Sequence, residues 1–261
     1  MANTLDLSGK TALVTGASSG LGARFARVLA ENGARVVLAS RRLGRLKELR
    51  AEIEAHGGSA CVVQLDVTDP ESITDAVIAA EKEAGPIDVL VNNSGVSTTQ
   101  RLVDVTAEDF DFTFDTNVKG AFFVAQAVAR LMIERAKAAT DPTHMPRARI
   151  INIASLAGLR VVSQIGVYSM SKAAIIHMTR AMALEWGRYN INVNAICPGY
   201  IRTEINEHHW DTEGGRKLIQ MLPRKRLGKP EDLDGILLLL ASDQSDFVNA
   251  AIITADDGFG V

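Results

Sequence analysis

Short apolar runs rich in β-branched residues alternate with helix-period segments along this whole chain, and that alternation constrains the fold more than any single motif. The short runs are Thr11–Thr15, Arg35–Ala39, Ala60–Leu65, Val89–Val91, Arg149–Ile153, Val193–Ile196 and Ile252–Thr254. Most lack the in-and-out pattern of half-exposed strands, so they predict strands buried on both faces of a parallel sheet. Between them lie Leu21–Asn32, Leu43–His56, Glu71–Ala84, Ala107–Ala136, Val167–Tyr189 and Glu231–Ala241, with stops and starts such as Gly33 and Asp69-Pro70. Strands that alternate with helices, joined by right-handed crossovers, predict an α/β fold. The expected form is a doubly wound parallel sheet of the Rossmann type, about seven strands with helices on both faces.

A chain of 261 residues fits one such domain, 1–261. Two stretches break the rhythm, Ala138–Pro146 and Tyr200–Gly228. The second is long for a connection and carries His208, His209, Trp210 and Gly214-Gly215, which predicts a substrate lid at 200–228.

Composition excludes several classes of function. With 47% hydrophobic and 23% charged residues, the chain has neither the polarity of a disordered protein nor the long apolar runs of a membrane protein. A net charge of -3 with dispersed Lys and Arg provides no basic field, so neither nucleic acid nor a membrane surface is an expected partner. Cys61 and Cys197 are far apart in apolar runs, which predicts buried reduced thiols and a cytoplasmic location. Met1–Lys10 lacks the apolar stretch of a signal peptide, and Ile236–Ala241 is too short to span a bilayer. His208 and His209 have no further ligands at fixed spacing, so no metal is expected and lid or substrate contact is their predicted role. His56, at a helix end, His144, in a polar loop, and His177, in a packed or interface position, receive no role.

Directly after the first run comes Thr15-Gly16-Ala17-Ser18-Ser19-Gly20-Leu21-Gly22, followed at once by the amphipathic segment Leu21–Asn32. Gly16 permits a tight turn, Gly20 lets backbone approach a pyrophosphate, and Gly22 permits close packing. The helix start adds unpaired N–H groups and a positive dipole end. The turn reads as a dinucleotide site, although a glycine-bearing strand-to-helix turn can also be purely structural and the spacing is not G-x-G-x-x-G. No Gly-Lys-[Ser/Thr] follows it, which excludes a P-loop NTPase. After the fifth run stands Ser155, and the helix beyond carries Tyr168-Ser169-Met170-Ser171-Lys172. One helical turn separates Tyr168 from Lys172, so both lie on one face, as such a pair would on any solvated helix.

Taken together, these motifs resemble those of the short-chain dehydrogenase/reductase family, and the similarity runs from about Leu7 to Ala241. Thr15-Gly16-x-x-x-Gly20-x-Gly22 is similar to its nucleotide-binding turn. Asp66 matches its adenine-contacting aspartate, Asn92-Asn93-Ser94-Gly95 its Asn-Asn-Ala-Gly segment, and Ser155 with Tyr168 and Lys172 its catalytic set. Ser94 departs from the usual alanine and adds a hydroxyl beside the cofactor. Asn117 matches an asparagine that holds a water linking Lys172 to solvent, although a mid-helix Asn can equally be a cap or kink. Pro198-Gly199, Ile201 and Thr203 resemble the segment lining the nicotinamide.

The resemblance implies an NAD(P)-dependent oxidoreductase that moves hydride between nicotinamide and a ketone or secondary alcohol, with a 3-oxoacyl thioester among the candidate substrates. Catalytic residues would be Asn117, Ser155, Tyr168 and Lys172. Cofactor contacts would come from Gly16, Ser18, Ser19, Gly20, Leu21, Gly22, Ser40, Arg41, Asp66, Val67, Asn93, Ser94, Gly95, Tyr168, Lys172, Pro198, Gly199, Ile201 and Thr203. Tyr168 would exchange a proton with the substrate oxygen. A phenol has a pKa near ~10, and lowering it by ~3 units takes ~4 kcal/mol, about what an ammonium ~4 Å away supplies at an effective dielectric of ~20. Lys172 would supply it and also hold ribose hydroxyls, while Ser155 would bond the substrate oxygen. A catalytically inactive dinucleotide-sensing or scaffold protein is the alternative, and the intact set argues against it.

The end of the second strand bears on the choice of cofactor. NAD-specific sites place a carboxylate there for the ribose hydroxyls. This chain has Ser40 and then Arg41, which suits a 2′-phosphate and predicts NADP(H) preferred, with NAD(H) still usable. Ser19 weakens that preference, since some NADP-preferring relatives carry a second basic residue there. A homo-oligomer, tetramer or dimer, is implied through the helices 107–136 and 167–189. Their stripes Phe122, Phe123, Val124 and Val128, and Ile175, Ile176, Met178 and Met182, serve either subunit contact or ordinary core packing.

Overall fold

A computed structural model describes residues 5–141, 145–204 and 206–260, so His144 and one residue of the 200–228 stretch lie outside it. The described residues form seven strands in one parallel sheet: β1 (Thr11–Thr15), β2 (Arg35–Ser40), β3 (Ser59–Gln64), β4 (Val89–Asn92), β5 (Ala148–Ile153), β6 (Ile191–Pro198) and β7 (Ile252–Ala255). Their order is β3-β2-β1-β4-β5-β6-β7, so the winding reverses between β1 and β4. That reversal opens a crevice at the carboxyl ends of the strands, where ligands bind in such sheets.

The period of two along each strand divides the core between two faces. Ala12 and Val14 of β1 face a cluster with Phe25 and Leu29 of α1 (Gly20–Glu31), Leu46 of α2 (Leu43–Ala55) and buried leucines near the chain's other end. Leu13 points the opposite way, to Ile73 and Val77 of α3 (Pro70–Ala84) and to Val124 and Val128. The start of α3 follows from its sequence: Pro70 sits in the first turn, and the Asp69 carboxylate accepts the Glu71 N–H at 3.0 Å.

The stretch predicted as one helix over Ala107–Ala136 is instead α4 (Ala107–Phe114), a π-helical turn (Asp115–Gly120) and α5 (Ala121–Ala138). A π turn adds a residue without interrupting the helix, so apolar periodicity alone passes over it. It also brings Asn117 inside, 1% exposed. The next long helix is α6 (Gly166–Trp186), closed by a 3₁₀ turn over Gly187–Tyr189 and a left-handed Asn190 with φ 60°. Beyond β6 come two short helices, α7 (Glu207–Trp210) and α8 (Glu213–Met221), and then α9 (Asp234–Ala241) behind a 3₁₀ turn at Pro230–Leu233. The helix expected over Glu231–Ala241 is therefore shorter, its first turn wound more tightly.

Of the apolar stripes singled out in the sequence, Val124, Val128, Ile175, Ile176 and Met182 are buried within this chain. Ordinary core packing accounts for them. Phe122 of the first stripe is exposed, and so are Phe110, Phe112, Met170 and Leu184 on the same helices. Among the described residues no helix is long and apolar enough to cross a membrane.

Candidate active site

The glycine turn leaves β1 at Thr15 and enters α1 at Gly20. Gly16 and Gly20 take φ of 66° and 55°, the left-handed region that suits glycine. A Cβ on Gly22 would stand 2.3 Å from the Gly16 carbonyl oxygen, so the turn closes only without a side chain there. Ser19 caps α1 geometrically, but its hydroxyl bonds none of the first-turn N–H groups. Those N–H groups and the helix dipole face the crevice, a cradle suited to the phosphates of a dinucleotide. Asn93 and Ser94 close the turn from β4: both backbone N–H groups donate to Thr15 Oγ1, at 2.9 and 3.1 Å, and Asn93 Nδ2 donates to the Thr15 carbonyl at 3.0 Å.

At the end of β2 the two arginines part. Arg42 folds back onto the turn, its guanidinium donating to Ser18 Oγ at 2.8 and 3.0 Å and to Ser19 Oγ at 2.7 Å. Its backbone N–H donates to Ser40 Oγ at 3.1 Å. Arg41, which the sequence singles out, is mostly exposed, with Asp66 4.0 Å distant. Burial raises the Asp66 carboxyl, but two hydrogen bonds from Thr68 and the charge of Arg41 outweigh it and hold the group below its ordinary value. Val67 follows, buried beside it.

Around the switch point the remaining side chains converge. A Cβ on Gly95 would lie 3.4 Å from both Lys172 Nζ and Asn117 Oδ1, so these three residues share one space. Asn117 is fixed by its amide, with Oδ1 accepting the Val96 N–H at 2.8 Å and Nδ2 donating to the Val96 carbonyl at 2.8 Å and to Ser171 Oγ at 3.0 Å. Lys172 is buried and donates to the Ile153 carbonyl at 2.8 Å. Desolvation brings its pKa down from 10.5 to about 8, against a small opposing effect of Cys197. Ser155 begins a 3₁₀ turn, accepting the Ala157 N–H at 3.1 Å, and its hydroxyl also bonds Tyr168.

The Tyr168 phenol is held above its ordinary value, because burial outweighs the bond from Ser155. Lys172 Nζ stands 5.6 Å from the centre of the Tyr168 ring. Beneath these groups Cys197 is fully buried; burial pushes its thiol up to about 11, while the Ser155 N–H and Lys172 pull against it. Both Cys61 and Cys197 are free and buried.

Downstream of β6, Pro198 and Ile201 are buried and Ile201 pairs with Gly228. Thr203 lies against the glycine turn, with its Cβ 3.8 Å from where a Cβ on Gly20 would stand. The segment that follows therefore touches the turn itself. His208 and His209 are exposed on α7, and Trp210 is buried. Among the described residues no group of three or more His, Cys, Asp or Glu is arranged to hold a metal ion.

A family model described as enoyl-(acyl carrier protein) reductase, of the short-chain dehydrogenase/reductase type, matches residues 16–260. The chain belongs to the short-chain dehydrogenase/reductase family. It is 39% identical over 256 residues to a gluconate 5-dehydrogenase of Gluconobacter oxydans, spanning 98% of this chain and 96% of that one. A sorbitol dehydrogenase of Cereibacter sphaeroides is 38% identical over 266 residues, spanning 97% and 98%. Among solved structures, a gluconate 5-dehydrogenase from Burkholderia cenocepacia in complex with NADP and tartrate superposes with a TM-score of 0.91 at 33% identity, covering 98% of this chain and 97% of that one.

As a short-chain dehydrogenase/reductase the chain is an oxidoreductase. Two contributors to its site are not singled out by the sequence reading. Arg42 is one: adjacent arginines look alike in a sequence, and only the backbone at the strand end decides which turns back. Thr15 is the other, quoted there as part of a motif but serving as the buried acceptor that ties β4 to the turn.

Proposed function

We propose that this short-chain dehydrogenase/reductase oxidises a secondary alcohol of a polyhydroxylated substrate, a polyol or sugar acid, with NADP(H) preferred over NAD(H). The observation that carries the reading is the convergence of Ser155, Tyr168 and Lys172 at the switch point, beside a turn that cradles phosphates. A bound nicotinamide dinucleotide supplies the acceptor or donor of hydride. The chain's own residues handle the proton and the charge. Ser155 donates to the substrate oxygen where negative charge develops, and Tyr168 takes the hydroxyl proton in oxidation or returns it in reduction. Lys172, whose three protons have one hydrogen-bond partner among the described residues, has two left for ribose hydroxyls. Asn117, in the π turn, leaves a widened backbone beside Lys172 where a proton-carrying water fits.

Cofactor preference rests on Arg42 together with the Arg41 read from the sequence. The Arg42 guanidinium lies among the hydroxyls of Ser18 and Ser19 and forms no ion pair among the described residues, a setting that favours an incoming phosphate dianion. Substrate class is supported by the relatives, whose names are those of dehydrogenases of gluconate, sorbitol and galactitol. None of these names concerns a 3-oxoacyl thioester, and we leave that substrate as the contrast in the test. The exposed Phe110, Phe112, Phe122, Met170 and Leu184 support a homo-oligomer formed through α4, α5 and α6, and the two free buried thiols support a cytoplasmic location. The reading also takes 1–261 as one domain with its substrate lid at 200–228. A panel of polyols, sugar acids and 3-oxoacyl thioesters, followed by nicotinamide absorbance, tests this function. Turnover of a polyol or sugar acid supports it; turnover of the thioesters alone, or none at all, contradicts it.

A further inference from the structure

Three stretches distant in sequence meet beside the lid helices: the loop after Ser155, the end of β6 and the turn Asp256–Gly260 after β7. The Arg160 guanidinium stands 4.8 Å from the centre of the Phe259 ring and donates to the Phe259 carbonyl at 2.5 Å. That ring lies 5.6 Å from Tyr200, and Tyr200 meets Trp210 of α7 edge-on, also at 5.6 Å. On the other side of the turn, Asp257 pairs with Arg224 at 3.3 Å and Arg226 at 3.1 Å, just beyond α8. One short turn thus reaches the loop of Ser155 and both ends of the lid.

The turn has the stiffness to act as an anchor. Asp256 accepts the Gly258 N–H at 3.1 Å and the Gly260 N–H at 2.6 Å through its two carboxylate oxygens. It packs so closely on the end of β6 that a Cβ on Gly199 would stand 2.7 Å from Asp256 Cα. The two lid helices, by contrast, pack chiefly on each other, and Gly215 is the one buried residue of α8. Trp210, 3% exposed, is the buried side chain of α7, and it meets Tyr200 at the start of the segment; Leu222, 7% exposed, is buried just past α8.

We propose that the turn Asp256–Gly260 is a clasp holding α7 and α8 over the Ser155 and Tyr168 site, with Phe259 and Asp257 as positioning residues for the lid. The proposal rests on reading 200–228 as the substrate lid, but its test does not depend on finding the substrate. Phe259 is half-buried and Asp257 lies at the surface, so truncating either leaves the core clusters intact.

The chain has two tryptophans, so Trp186→Phe leaves Trp210 as the single reporter of the lid. In that background, acrylamide quenching of Trp210 and hydrogen exchange across 207–221 should both rise at least about threefold in Phe259→Ala and in Asp257→Asn, with amides of β1, β4 and β5 unchanged. Phe259→Tyr, which keeps the ring, should restore the starting values. With whichever alcohol is turned over, Phe259→Ala should raise substrate KM about tenfold and leave NADP+ affinity as it was. Unchanged quenching and exchange in Phe259→Ala overturns the clasp, as does a rise spread evenly over the sheet. If Phe259→Ala melts early, the surface variant Asp257→Asn decides by the same two readouts. Absence of any alcohol turnover would count against the proposed function and leave the fluorescence and exchange results to judge the clasp.

Discussion

The glycine turn and the lid segment touch at Thr203 and Gly20, yet they are built from opposite materials. The turn is backbone: two left-handed glycines, a helix start with unpaired N–H groups, and buried strands on either side. Its shape is set within a few residues of chain and braced by Thr15. The segment 200–228, proposed as a lid, is met by side chains from far away, through edge-on and tilted ring contacts, a guanidinium over a ring and two ion pairs at the surface. Contacts of that kind are individually weak and partly screened, which suits the proposed role of a segment that opens. Recognition of a constant ligand suits the first construction, and admission of a variable one suits the second.

The largest effect that would break this division is at Tyr168, the proposed proton carrier. Tyr168→Phe should lower kcat by about 10²–10⁴-fold with dinucleotide affinity preserved, since it deletes the exchanged proton and keeps the ring. Paired turnover and binding measurements check this, and near-wild-type kcat would remove Tyr168 from the mechanism. Lys172→Ala should cut turnover to a similar degree and also weaken dinucleotide binding, whereas Ser155→Ala should weaken turnover alone; equal dinucleotide affinities in the three variants would contradict the double role of Lys172. Gly22→Ala should next weaken dinucleotide binding and cost about 1–3 kcal/mol of stability, because the new methyl overlaps the Gly16 carbonyl. An unchanged denaturation midpoint would show that the turn yields more easily than its geometry suggests.

The smallest expected effect is on stability against pH. Burying the Lys172 ammonium holds its folded value at about 8, below the ordinary 10.5. Below pH about 8 the folded protein bears the full cost of that buried charge; between about 8 and 10.5 the folded state releases the proton before the unfolded chain does, so stability from this group grows with pH. The melting temperature of wild type relative to Lys172→Met should therefore rise as pH goes from about 7 to about 10. A flat difference would mean that Lys172 is not desolvated in solution.

What the sequence makes legible follows the same divide. Strands buried on both faces announce themselves as short apolar runs, and the expected bounds of β1 coincide with those observed while those of β2 and β5 differ by one residue. The glycine turn and the pairing of Tyr168 with Lys172 on one helix face are likewise local patterns. Asn117 is legible as a residue, but the π turn that carries it is not, because one extra residue in a helix leaves the apolar stripe nearly unaltered. That Arg42 folds back onto the turn escapes sequence reasoning, because it and Arg41 are both arginines at the end of a strand. Arg160, Asp257 and Phe259 escape it more completely, since nothing near them in the chain says what they meet.

The direct test of the account is cofactor discrimination, because Arg42 ties the turn to a single chemical group. Calorimetric titration of NADP+ and NAD+ into the wild-type protein, Arg42→Ala and Arg41→Ala should show wild type binding NADP+ more tightly by about 10–100-fold, the worth of a charge-assisted bond of about 1.5–3 kcal/mol. Arg42→Ala should lose most of that margin while NAD+ affinity holds, and Arg41→Ala should lose less. Equal affinity for the two dinucleotides in the wild type, or an Arg42→Ala protein that binds NADP+ undiminished, would contradict it.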